Sequence, residues 1–306
     1  MRLQISKEEA KVLIAYLAVC ILWGSTYLAI RIGVSEMPPE LFAGMRFLLV
    51  GVILLSFAYL RGLKFPDNSK EVWKHSIVGL LLLLGGNGLV AWTEQWVSSG
   101  IASLLLASVP LFMAIIELVS PNRIKIDYKG WIGLLIGFAG VAMLVFSNQD
   151  TGFVDIKGGI LLLIGSFSWA LGSVYSKSIK NTASIIVSIG IQSLAGGIGL
   201  SVIGTAMGEL GRMHFTSRGM GAMAYLVIFG SILGYSSYIY ILQKWPAAKA
   251  GTYAYVNPPV AVFLGFLVLG ETVNSSIILS TLVILAGVML VQFSKTAASK
   301  PKTEDK

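Results

Sequence analysis

The sequence predicts an all-α integral membrane protein: ten transmembrane helices arranged as two inverted five-helix repeats. Three observations carry that prediction. The chain has 306 residues, of which 55% are hydrophobic and 12% charged, whereas a soluble domain carries about a quarter charged residues. Its apolar segments each run near the ~20 residues that cross a bilayer as a helix. Its first half is also written again in the second: Trp23, Arg31 and Arg46 recur as Trp169, Lys177 and Gln192, each 146 residues on. Five spans per copy, an odd number, make the copies point in opposite directions across the membrane.

The elements follow in order. The first span, 10–32, comes after a charged start containing Glu8 and Glu9, and no small-residue cleavage pattern follows it, so it reads as a retained helix rather than a removed signal. The chain's one cysteine, Cys20, lies inside it and reads as a small apolar residue. Spans two and three are 41–60 and 75–95; stretches such as IVGLLLLLGG in the third do not alternate, which argues against a barrel. The fourth, 99–118, carries Pro110, and the fifth, 130–147, a small-residue stripe of Gly130, Gly133, Gly137 and Gly140 suited to close helix packing. In the second copy the spans are 158–177, 184–207, 220–242, 249–270 and 275–294, with Asn257-Pro258 answering Val109-Pro110 and Gly287-Val288 answering Gly140-Val141. The repeats are therefore 1–149 and 150–294, followed by a polar tail, 295–306, expected to be cytoplasmic and disordered.

Charge sets the orientation. With the N-terminus inside, eighteen of the 23 lysines and arginines lie on the cytoplasmic side, and the positive-inside rule then places both termini in the cytoplasm of a bacterial-type cytoplasmic membrane. The net charge of +8 is explained by this topology, so no nucleic-acid partner is implied; the bilayer and a small-molecule solute are the expected partners, with a homodimer left open.

Several chemistries lack their residues. Two histidines, His75 and His214, both read as interfacial and on opposite sides, build no metal site. There is no GxxxxGK[ST] loop, and the Gly86-Asn87-Gly88 string sits in an apolar helix with no strand before it. Glu94, Glu117 and Glu271 fall near the ends of different helices, so no catalytic pair is seen and the chain reads as a non-enzyme without cofactor. Inverted repeats without a catalytic set point to a solute moved through a midplane site.

Trp23-Gly24-Ser25-Thr26, Arg46-Phe47, Pro110 and YVNPPVAVFLGFLVLGE ending at Glu271 together resemble the EamA family of the drug/metabolite transporter superfamily, over essentially the whole chain. The resemblance implies one EamA repeat in each half, a central cavity, and export of metabolites, often amino acids, or of drugs.

Individual positions carry expectations of their own. Trp23, Asn87, Trp169, Tyr235, Tyr238 and Asn257 are the substrate-cavity candidates; the competing readings are an interfacial aromatic belt for the rings, helix packing for Asn87 and a bond to a proline-freed carbonyl for Asn257. Arg31, Arg46 and Glu94 are expected to form an ionic cluster at the outer mouth, with snorkelling of Arg46 as the alternative. Lys177, Gln192 and Gln243 are their counterparts at the inner mouth, held by neutral hydrogen bonds, with polar helix ends facing the cytosol as the alternative. Pro110 and Pro258 are expected to kink the middles of helices four and nine. The function expected is a secondary transporter exporting small metabolites, amino acids or amphipathic and aromatic compounds, by alternating access; a passive channel or a drug efflux protein of the same fold is the alternative. Glu94 and Glu271 are the carboxylates available to carry protons.

Overall fold

The computed structural model describes residues 6–97, 102, 105–120, 124–147, 156–269, 275–294 and 296–298. Glu271, Arg123 and the tail beyond 298 lie outside the described residues. The chain is built of helices: α1 Lys7–Glu36, α2 Pro39–Leu60, α3 Ser69–Thr93, α4 Val109–Val119, α5 Tyr128–Ser147, α6 Ile156–Ser178, α7 Ile185–Ala206, α8 Ser217–Lys244, a short α9 Ala247–Gly251, α10 Tyr253–Leu269 and α11 Ser275–Gln292. Six of them, α1, α2, α3, α6, α7 and α8, are long and apolar enough to cross a membrane, and the apolar stretches Val109–Val119, Tyr128–Met143 and Ile278–Gln292 are shorter. Outward-facing Ile14, Val52, Ile160 and Val202 are more than half exposed, as a bilayer permits and water does not favour.

Local chemistry starts these helices where the apolar text begins. Ser6 and Glu9 form a reciprocal capping box on α1, Asn68 accepts from the Glu71 amide at α3, Ser184 from Val187 at α7, and Thr216 from Gly219 at α8. Two of the starts are capped from the opposite repeat. The Glu209 carboxylate, just after α7, accepts from the amide of Leu41 at 2.8 Å and of Glu40 at 3.4 Å, at the head of α2. The Glu71 carboxylate, in the first turn of α3, accepts from the amides of Thr182 at 2.8 Å and Ala183 at 3.1 Å, just before α7. The two bonds sit on opposite faces of the molecule, as an inverted repeat demands.

Glycine sets the two main contacts between the repeats. Along α2 and α7, Gly44 meets Ser201, Gly51 meets Leu194, Gly190 meets Leu55 and Gly197 meets Leu48, so each step forward in one helix is matched by an equal step back in the other. The same holds for α5 and α11, where Gly133 meets Val291, Gly137 meets Gly287 and Gly140 meets Ile284. A Cβ at Gly287 would lie 2.4 Å from the Gly137 nitrogen. Close backbone approach is the reason for the stripe read in the fifth span, and its partner is the other repeat.

Three features depart from expectation. Pro110 does not kink the middle of a helix: the chain turns at residues 107–108 and the proline opens α4, where its missing N–H is no loss. Pro258 does lie inside a helix, α10, beside Pro259. The tail, expected to lack structure, includes the strand β2 Thr296–Ala298, which pairs antiparallel with β1 Ile124–Ile126 and sets Ile124 opposite Ala298. Finally, α3 and α8 each contain a π-helical stretch, Leu80–Gly88 and Leu226–Tyr235, at equivalent places in the two repeats. Wide turns of this kind tend to mark functional sites.

Candidate functional site

A cavity of about 80 Å³ lies between the repeats, room for several waters or a small organic solute. It is lined from α1 by Trp23, Thr26, Tyr27 and Ile30, from α2 by Arg46 and Phe47, and from α3 by Leu83, Gly86, Asn87 and Val90. The second repeat adds Gly165 and Trp169 from α6, Gly230 and Tyr235 from α8, and Tyr253, Ala254 and Asn257 from α10; Leu106 and Val109 complete the wall.

The π-helical stretches position its aromatic walls. Trp23 donates its indole N–H to the Gly230 carbonyl at 2.8 Å and packs on Gly234, where a Cβ would come within 2.5 Å of the ring. Trp169, its counterpart, packs on Gly86 in the same way, with a Cβ there 2.8 Å from the ring. Each tryptophan thus rests on a glycine in the wide-turn segment of the opposite repeat. The two rings meet edge to face at 5.5 Å, and Tyr253 stands edge-on to Trp23 at 4.8 Å.

Of the residues expected to form the cavity, Trp23, Asn87, Trp169, Tyr235 and Asn257 line it, while Tyr238 forms the layer beneath. Tyr238 is fully buried, 5.2 Å from Trp23 and 5.6 Å from Trp169, accepts from the Trp169 indole at 3.2 Å and shares a 2.5 Å bond with Ser173. Asn257 sets its side-chain amide against the carbonyls of Tyr253 at 3.1 Å and Cys20 at 3.3 Å, an arrangement that bonds α10 to α1 when the amide nitrogen is the atom facing them. Tyr27, Ile30 and Tyr253 were not anticipated, although Trp23, Tyr27 and Ile30 follow the i, i+4, i+7 spacing of one helix face and Tyr253 precedes Asn257 by one turn.

The two polar poles of the cavity differ in kind. Arg46 is 5% exposed, donates through Nε to Ser231 at 2.8 Å, and lies 4.8 Å from the Phe47 ring centre. Opposite charges expected beside it are elsewhere: among the described residues no ion pair joins Arg31, Arg46 and Glu94, Arg31 is exposed, and Arg46 is held within the cavity wall by the π-helical segment of α8. Asn87 presents a buried carbonyl oxygen that has no hydrogen-bond partner.

On the face that carries Lys7 and Gln292, the helices are tied together below the cavity. The hydroxyls of Tyr16 and Thr252 are 2.8 Å apart, and the Tyr16 ring packs 5.3 Å from Trp245. Gln292 donates to Thr252 at 3.0 Å. The Glu117 carboxylate accepts from the amides of Ala247 at 2.8 Å and Ala248 at 3.3 Å, heading α9, and Lys177 lies 4.0 Å from Glu117 while donating to the Trp245 carbonyl. This end therefore combines neutral hydrogen bonds with the Lys177–Glu117 pair, and among the described residues no ion pair joins Arg31, Arg46 and Glu94 at the other. Gln243 is exposed and stands apart from this set.

Gln192 is fully buried. Its side-chain oxygen accepts from the Tyr235 hydroxyl at 2.6 Å, and its amide nitrogen lies 3.2 Å from Nδ1 of His75. An amide nitrogen only donates, so Nδ1 accepts, and Nε2 carries the proton toward Ser188 Oγ at 3.2 Å. His75, read as interfacial, is 1% exposed inside α3. The signal was absent from its surroundings because its partners lie on α7.

Comparison with known proteins fits this geometry. The model of the EamA-like transporter family matches residues 10–146 and again 156–293. The chain belongs to the EamA-like transporter family. It is 41% identical over 283 residues to the uncharacterized inner membrane transporter YedA of Escherichia coli K12, covering 92% of this chain and 90% of that protein. It is 25% identical to the uncharacterized transporter YoaV of Bacillus subtilis, over 93% of this chain and 97% of that one. A solved crystal structure at 18% identity superposes with a TM-score of 0.75, covering 92% of this chain and 97% of that chain, a likeness of fold. This EamA-like chain is thus a transporter of the membrane.

Proposed function

We propose that this EamA-like protein is a secondary carrier that exports small metabolites, most directly amino acids, by alternating access between its two repeats. The observation that carries the reading is the cavity's composition: a guanidinium at Arg46, an unpartnered acceptor at Asn87, and aromatic walls from both repeats around one small volume. Arg46 suits a carboxylate, the Asn87 oxygen suits an ammonium group, and the rings of Trp23, Trp169 and Tyr253 suit an apolar or aromatic side chain. A single cation disfavours multiply phosphorylated solutes, which need several. The aromatic wall alone also favours amphipathic and aromatic compounds, the drug efflux reading of the same fold.

The remaining features of the proposal are ten spans in two inverted repeats of 1–149 and 150–294, and both termini in the cytoplasm, as the distribution of lysine and arginine supports. With that orientation the end tied at Lys177, Glu117 and Trp245 is cytoplasmic.

Purified protein in liposomes, offered a panel of labelled amino acids and aromatic cations, tests the reading. Saturable uptake accelerated by unlabelled solute on the other side is expected. Non-saturating flux without such counterflow would instead indicate a channel. Arg46→Gln should reduce uptake of carboxylate-bearing solutes about tenfold to a hundredfold, the equivalent of a lost hydrogen bond to a charged group of about 1.5–3 kcal/mol, while sparing aromatic solutes that lack a carboxylate. An equal loss for both classes contradicts the assignment of Arg46.

A further inference from the structure

Among the described residues, one carboxylate has both oxygens sealed from solvent without a hydrogen-bond partner. Glu94 is 4% exposed, and among the described residues neither of its oxygens has a hydrogen-bond partner. Of the other buried carboxylates, Glu117 is engaged with the amides of Ala247 and Ala248, Glu209 with those of Glu40 and Leu41, and Glu71 with Thr182 and Ala183, whereas Glu40, on α2, has the Glu209 carboxylate as its electrostatic neighbour. Glu94 also has a defined relation to the cavity. Leu83, Gly86, Asn87 and Val90 are the cavity-lining positions of α3, and Glu94 follows Val90 by four residues, continuing that stripe one turn toward the far face. Asn87, on the same stripe, has the other unpartnered acceptor there.

Among the described residues no hydrogen bond reaches the Glu94 carboxylate. Tyr27 and Arg31 on α1 are its electrostatic neighbours. Arg31 is exposed and forms no ion pair with it, and Arg46 on α2 is engaged with Ser231. On α6 the far-face half carries one titratable residue, Lys157, at its first turn. An ionised carboxylate removed from water with no donor and no paired cation is strongly unfavourable, and such a group resolves the conflict by taking a proton.

We propose that Glu94 is the proton-binding site that couples this carrier to a proton gradient. The proposal rests on the transporter reading but concerns its driving force. In the conformation closed at the Lys177–Glu117 mouth, one Glu94 oxygen holds a proton taken from water on the far face, as a neutral O–H. When the bundle opens toward the other face, water reaches the carboxyl, the O–H bond breaks and the proton passes to that water, leaving the carboxylate. No other bond changes. Each cycle then moves one proton, and an inward proton gradient pulls the carrier through the step that returns it.

Two measurements on the full chain test this. In infrared spectra of the purified protein in lipid nanodiscs, titrated with alkali, wild type should show a protonated-carboxyl band at neutral pH that disappears as pH rises. Glu94→Gln should lack that band, and Glu117→Gln should keep it. A band unchanged in Glu94→Gln overturns the proposal. In liposomes loaded with a labelled amino-acid mixture, an imposed pH gradient should stimulate wild-type flux severalfold, while Glu94→Gln should show no stimulation whatever its residual rate and Glu94→Asp should retain part of it. Full stimulation in Glu94→Gln also overturns the proposal. If neither wild type nor variant moves amino acids, the substrate reading fails, and the infrared titration still decides whether Glu94 holds the proton.

Discussion

Arg46 shows how one side chain is made tolerable inside a bundle. It is drawn into the wall of a polar cavity, bonded at Nε to Ser231, and its guanidinium sits against Gly230 where a Cβ would be only 2.8 Å away. Its counterpart in the second repeat, Gln192, is buried as well but is neutral and has both ends of its amide engaged, by Tyr235 and His75. The asymmetry leaves one charge free to meet a solute and locks the other position into structure. Tyr235→Phe should therefore lower the unfolding stability by about 1–2 kcal/mol, because the Gln192 oxygen loses its donor in a place water does not reach; a thermal melt of the detergent-solubilised protein would measure it. An unchanged melt would mean that this bond is replaced by another.

At the scale of the element, glycine decides how closely the repeats approach. Gly287 faces the backbone of Gly137, so Gly287→Ala must push α5 and α11 apart and should cost about 1–3 kcal/mol. Gly211, with open space around it, supplies the control, since Gly211→Ala meets nothing within 4 Å. Equal melting temperatures for the two variants would refute this account of the α5–α11 contact. The stripe Gly130 to Gly140 was legible in the sequence as a packing face, because small residues at helical spacing have few other uses, but its partner helix was not. The proline at 110 misled for a related reason: apolar composition continues on both sides of it, and nothing in the letters marks the turn at residues 107–108 that lets it open a helix. The π-helical stretches had only a weak signature, the glycines of LLLLLGGNG and LVIFGSILGY, since a change of hydrogen-bond register leaves composition untouched.

The whole molecule is a frame of two antiparallel helix pairs, α2 with α7 and α5 with α11, around a cavity built from both repeats. Duplication made the frame readable, because Trp23 with Trp169 and Gly140 with Gly287 stand out at nearly constant offset. Five of the six expected cavity residues line the space for the same reason: tryptophan, asparagine and tyrosine are conspicuous in apolar text. The mouths were not readable, because they depend on which chain segments far apart in sequence meet. Glu117 caps α9, 130 residues away, and Glu209 caps α2, 169 residues before it. The Glu117 contact ties the Lys7 face and the Glu209 contact the far face.

A single cysteine inside the cavity tests the central claim, that the space between the repeats opens to one face at a time. Thr26→Cys places a thiol on the lining, and native Cys20, only 2% exposed, serves as an internal control for unreactivity. In vesicles of uniform orientation, a membrane-impermeant maleimide should label Thr26→Cys faster from the far face than from the Lys7 face. Adding Glu117→Gln, which loosens the Lys177–Glu117 end, should raise labelling from the Lys7 face and lower it from the far face, since weakening one closure shifts the population toward the other state. Labelling that rises from both faces together would contradict alternating access and describe an open pore.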